Sequence, residues 1–196
     1  TGDYAKLGEY YALSMGTLAS HSGTVTTLPV KDYVAGLAGR FTNVVYIGST
    51  YDEPLPRAFI DDALTGNVPV MWSGFNIWQL AKTDADRAAF TQRYGWDAAT
   101  SYIDSTDRVT KISYNGASLK RNELNTGGIT APHITREKDV KVLGRAECSK
   151  PDGAATACAS VAQSGTSSFP WAVSSSGLTF IGEIPLTYLG EQDRYI

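Results

Sequence analysis

The sequence predicts a single α/β domain over residues 1–196, with a mostly parallel sheet covered on both faces. Three observations predict it. Helical and strand patterns alternate from residue 3 to residue 94. Two runs, Asn43-Val44-Val45-Tyr46-Ile47-Gly48 and Val68-Pro69-Val70-Met71-Trp72, read as short apolar strands, and the first suits a parallel strand buried on both faces. Beyond Trp96 the alternation gives way to β-type patterning. Residues 97–139 therefore read as a β-rich insertion, and the later strands as the far edge of the same sheet.

The elements follow in order. Residues 3–21 carry Tyr4, Leu7, Tyr11, Met15 and Leu18 at helical spacing, with Asp3 as N-cap and Gly23 as stop. Thr24-Val25-Thr26-Thr27-Leu28 is β-branched and ends at Pro29, so a short strand is expected. Residues 31–41, broken by Gly36 and Gly39, hold a weak helix or a loop. After the strand at 43–48, Pro56 is placed to open a helix over residues 57–65, with Phe59, Ile60, Ala63 and Leu64 on one side and Gly66 as its end. The strand at 68–72 leads through a Ser73-Gly74 turn to a helix over 75–81, and another helix runs from an Asp84 cap to Tyr94. Residues 109–114 alternate, and Asn115-Gly116 is a hairpin turn before a return strand at 117–120. Strands are expected at 140–147, 169–173 and 178–184, the last two split by Ser174-Ser175-Ser176-Gly177, with a small-residue surface loop at 154–168.

Composition excludes several classes. Of 196 residues, 42% are hydrophobic and 19% charged, which is a globular mixture and not a disordered one. The net charge of −3 gives no support to nucleic-acid binding. No apolar run approaches the ~18 residues of a membrane-spanning helix. The chain begins at Thr1 with no leader ahead of it, so a processed form or a piece of a longer protein is expected. Cys148 and Cys158 flank the turn Ser149-Lys150-Pro151-Asp152-Gly153. They read as a disulfide, with two free thiols as the alternative. A bond would imply an oxidising location, either secreted or in the periplasm or cell envelope. Two thiols and two distant histidines, His21 and His133, show no metal-ligand spacing, and no cofactor is expected. Gly127-Gly128 follows no strand, so it is no phosphate loop.

Ligands of doubly wound sheets sit beyond the carboxyl ends of the strands. Three segments would line that rim: residues 48–53, residues 73–76, and Glu183-Ile184-Pro185 with Tyr188. The candidate binding residues are Tyr51, Asp52, Glu53, Ser73, Asn76, Trp78, Glu183 and Tyr188. Flat aromatic faces stack on pyranose rings, while carboxylates and amides hydrogen-bond hydroxyls, so a polysaccharide or oligosaccharide is the candidate ligand class, against the alternative that Trp72 and Trp78 belong to the core. Ser73 stands where a nucleophile elbow would, but the G-x-S-x-G context is absent, so a turn serine is expected. Asp61 and Asp62 are adjacent on a helix and point about 100° apart, which separates them as ligands. No residue is assigned a catalytic role. The alternatives are a carbohydrate hydrolase using Glu183 and Asp52, and a purely structural or protein-interaction domain.

Several stretches resemble a known family. Val45-Tyr46-Ile47-Gly48-Ser49-Thr50-Tyr51 with Leu55-Pro56 and Ala58-Phe59 resembles bacterial envelope proteins of the polysaccharide-deacetylase-like (glycoside hydrolase/deacetylase) type. So do Pro69-Val70-Met71-Trp72 with Asn76-Ile77-Trp78-Gln79-Leu80, and Ile181-Gly182-Glu183-Ile184-Pro185 with Asp193-Arg194-Tyr195. The resemblance implies a three-layer, flavodoxin-like or class I glutamine-amidotransferase-like domain, followed in full-length relatives by a deacetylase-like barrel holding metal and catalytic residues. It also implies a strand ahead of Thr1. Gly74 stands at about the position of the amidotransferase cysteine, and no His-x-x-x-His pair is present, so deacetylase chemistry transfers to no residue. The expectation is a non-catalytic accessory domain of an exported carbohydrate-active protein, binding glycan or docking on that catalytic module.

Overall fold

A computed structural model describes residues 5–99, 102–103, 109–120, 129–150, 152–158 and 166–183. The elements in chain order are α1 (Ala5–Ser20), β1 (Val44–Gly48), α2 (Arg57–Thr65), β2 (Val70–Gly74), α3 (Asp84–Tyr94), β3 (Trp96–Asp97), β4 (Tyr102–Ile103), β5 (Val109–Tyr114), β6 (Ala117–Lys120), β7 (Ile129–Thr130), β8 (His133–Ile134), β9 (Lys141–Cys148), β10 (Ser168–Ser175) and β11 (Leu178–Ile181). Seven strands form one mixed sheet in the order β1-β2-β11-β10-β9-β5-β6. β1, β2 and β11 are mutually parallel, and every pairing from β11 outward to β6 is antiparallel. The expected parallel character thus holds for three strands and stops there. The β5–β6 hairpin, from within the span expected as an insertion, joins the main sheet through β9.

The register explains the core. Tyr46, Trp72 and Phe180 are direct neighbours across the three parallel strands, so their rings form one transverse row. Helix α2 lays Phe59, Ile60, Ala63 and Leu64 against this row, and α3 adds Phe90 and Tyr94. Trp72 is fully buried between Tyr46 at 4.1 Å and Phe59 at 5.8 Å, ring centre to ring centre. A second apolar cluster, around Ile112, Ala146, Phe169 and Trp171, fills the antiparallel end. It includes the disulfide Cys148–Cys158, whose Cα atoms are 5.4 Å apart.

The opposite face of the parallel end is covered less well. Val45 is 45% exposed and Ile47, Met71 and Thr179 are half-buried, so β1 is not the doubly buried strand its composition predicts. An apolar run reports what a strand could bury, not what lies over it. Residues 24–28 form no strand: they are exposed and join no sheet. β-branched residues favour a pleated surface only where a neighbour is there to pair with. Residues 31–41 hold two short 3-10 turns. Pro56 is the residue before α2, and Thr83 caps α3 in place of Asp84. The expected helix over 75–81 is reduced to a 3-10 turn, Ile77–Ala81, because Asn76 takes a left-handed φ of 72°. Ser73 and Gly74 belong to β2, not to a turn.

Candidate functional site

Parallel pairing carries the ends of β1, β2 and β11 to the same side, so residues 48–53, residues 73–76 and Glu183 meet, while Ile184, Pro185 and Tyr188 of the third expected segment lie outside the described residues. One close approach locks them. A Cβ on Gly48 would stand 2.1 Å from the Phe75 carbonyl oxygen, so only glycine lets the chain after β2 fold back over the end of β1. The Phe75 N–H donates to the Gly48 carbonyl at 3.1 Å. Trp72 Nε1 donates to the Phe75 carbonyl at 2.8 Å, tying the same bend to the core.

Beneath the rim the polar groups are spent on one another. The Ser73 hydroxyl donates to the Glu183 carbonyl at 2.9 Å, which joins β2 to the end of β11. A main-chain carbonyl does not take up a proton, so this contact does not activate Ser73 as a nucleophile. The Glu183 side chain is 6% exposed, and its Oε2 accepts from Trp171 Nε1 at 3.0 Å. Asn76 Nδ2 donates to the Tyr46 hydroxyl at 3.0 Å, and Asn76 Oδ1 accepts from Gln79 Nε2 at 3.0 Å. Burial pushes the Tyr46 phenol up to about 12, against the opposing effect of the Asn76 bond, so it stays protonated.

Gln79 is a rim residue that sequence reasoning passed over. Its Oε1 accepts from the Leu55 N–H at 3.0 Å, and its Nε2 donates to the Glu53 carbonyl at 2.7 Å. The side chain therefore ties the loop after β1 to the 3-10 turn after β2. The available signal was one amide inside the otherwise apolar run Ile77-Trp78-Gln79-Leu80-Ala81.

Above this layer lies an aromatic ledge. Tyr51 is 44% exposed and stacks on half-buried Trp78, with centroids 5.8 Å apart and planes 26° apart. Trp78 Nε1 donates to the Tyr51 carbonyl at 3.1 Å, which holds the two rings together. Phe75 meets Tyr51 edge-on at 6.3 Å, and the Lys82 ammonium lies 5.7 Å from the Trp78 ring centre. Asp52 is exposed and Glu53 half-buried beside the ledge. The candidate residues therefore divide. Tyr51, Asp52, Glu53 and Trp78 face outward to differing degrees, while Ser73, Asn76 and Glu183 are interior. Tyr188 lies outside the described residues.

Asp61 and Asp62 diverge as the helix geometry requires. Asp61 pairs with Arg57 at 2.6 Å, whereas Asp62 accepts from the Tyr33 hydroxyl and the Gly36 N–H, both at 2.7 Å. Among the described residues, no three His, Cys, Asp or Glu side chains gather as metal ligands, and no helix is long and apolar enough to cross a membrane. No family model, curated protein or solved structure matches this chain, so the deacetylase-like resemblance rests on the quoted residues alone.

Proposed function

We propose that this chain is a recognition domain of an exported carbohydrate-active protein, binding glycan at its rim while bond cleavage belongs to another module. The aromatic ledge carries the reading. An exposed Tyr51 braced on Trp78, with exposed Asp52 beside it, offers a flat apolar face bordered by a hydroxyl-binding carboxylate. The Cys148–Cys158 bond supports an oxidising location outside the cytosol. The hydrolase alternative draws no support from Glu183, which is packed under the rim with its carboxylate engaged.

A second reading, docking on a protein partner such as a deacetylase-like module, is favoured by a different surface. Tyr10, Leu13 and Leu18 of α1 are exposed, Leu13 to 70%. Calorimetric titration with a panel of envelope polysaccharides and their oligosaccharides separates the two. Saturable binding that weakens about tenfold or more in Tyr51→Ala supports the glycan reading. Silence across the panel removes it and leaves docking.

A further inference from the structure

The other end of the parallel strands holds a cavity of about 150 Å³. It lies where β1 and β2 begin, at Val44 and Val70, beside α2 and under the loop over residues 33–39. It opens to solvent past exposed Gly36, Gly39 and Asn67, and its volume would admit about one benzene-sized molecule. Two of its walls are the rings of Tyr33 and Phe59, which meet edge-to-face at 5.0 Å, and the rest of the lining is mainly apolar.

The Asp62 carboxylate and the exposed Asn67 amide interrupt this apolar lining. Asp62 Oδ2 accepts from the Tyr33 hydroxyl and the Gly36 N–H, and the Tyr33 oxygen accepts in turn from the Ala38 N–H at 2.9 Å. These bonds fix both the carboxylate and the loop. Burial, and then the Asp62 contact, raise the Tyr33 phenol to about 12, so it remains a donor. Asp62 Oδ1 has no hydrogen-bond partner among the described residues, and no cation there pairs with Asp62. The nearby guanidiniums are engaged elsewhere. Arg57 bonds Asp61 and Asp86, and Arg93 donates to the carbonyls of Leu64 and Gly66.

A carboxylate oxygen open to solvent, at the edge of a cleft lined by aromatic rings, selects its ligand by chemistry. An anion is repelled, and a metal ion would find only one carboxylate. A neutral alcohol could bond to Oδ1 but without the added strength of a charged donor. We propose that this cavity binds a small organic ammonium ion, its N–H donating to Asp62 Oδ1 and its compact apolar body resting against Tyr33 and Phe59. The site is independent of the glycan ledge, which lies at the opposite strand ends.

The test is titration of the whole chain with benzylamine, benzyl alcohol and benzoate, followed through the backbone amide resonances of Gly36 and Ala38. Saturable shifts are expected with benzylamine, tighter than with benzyl alcohol by about tenfold, and none with benzoate. Equal affinity for amine and alcohol, or no saturable shift with the amine, overturns the proposal without any variant. Asp62→Asn, with its fold checked by circular dichroism, is expected to bind amine and alcohol within about twofold of each other. An amine preference that survives in Asp62→Asn also overturns it.

Discussion

The Gln79 amide serves three partners, Leu55 N, Glu53 O and Asn76 Oδ1, across more than twenty residues of sequence for two of them. Gln79→Ala strands these groups in a poorly hydrated layer, so a loss of about 2–3 kcal/mol is expected in urea unfolding. Faster exchange of the Leu55 amide should accompany it. If that amide stays as protected as in the parent, Gln79 does not hold the loop. Gly48→Ala is more severe. The new methyl meets main chain at Phe75, which cannot swing aside, so a cost of at least about 3 kcal/mol is expected. The candidate site was legible as a set of strand ends and aromatics, because strand direction and side-chain type are local properties. Which side chains face solvent was not legible. Glu183 and Asn76 are as polar as Asp52, yet they are interior, because partners distant in sequence absorb them.

At the scale of elements, local chemistry guided well at the β5–β6 hairpin turn and at α2, and failed at residues 24–28, where no neighbouring strand pairs. Asn115 and Gly116 adopt φ of 48° and 81°, the left-handed pair that a tight hairpin requires and that this dipeptide tolerates. The apolar face of α2 is buried as its periodicity indicates. The start of α3 is a box in which Thr83 Oγ1 accepts from the Asp86 N–H at 3.1 Å and donates to Asp86 Oδ2 at 2.8 Å. Thr83→Ala is expected to cost about 1 kcal/mol. Arg57 binds the same carboxylate through two nitrogens, and this holds the Asp86 carboxyl below its ordinary value. The folded form therefore binds the proton less readily than the unfolded chain. The contribution is complete above the unfolded value, about pH 4, and is lost as pH falls through the lowered folded one. Urea midpoints between pH 7 and pH 2 should drop in the parent and flatten in part in Asp86→Asn. Parallel curves would deny Asp86 this role.

Across the whole molecule, the strand order was the least legible feature. Apolar runs identify strands, but their neighbours are chosen by packing between segments far apart in the chain. The Tyr46–Trp72–Phe180 row exists only once β11 lies beside β2. The disulfide was readable from two cysteines around a turn, and it sits in the second apolar cluster at the antiparallel end. Replacing both cysteines by serine is expected to lower stability by about 2–3 kcal/mol on the chain-entropy argument. An unchanged urea midpoint would mean the loop is already ordered without the bond. β2 and β11 touch, although residues 75–177 run between them. A polypeptide emerging from the ribosome can therefore brace Tyr51 on Trp78 early, but Ser73 has to wait for the arrival of Glu183, which sets the ledge among the first parts to assemble and the central seam among the last.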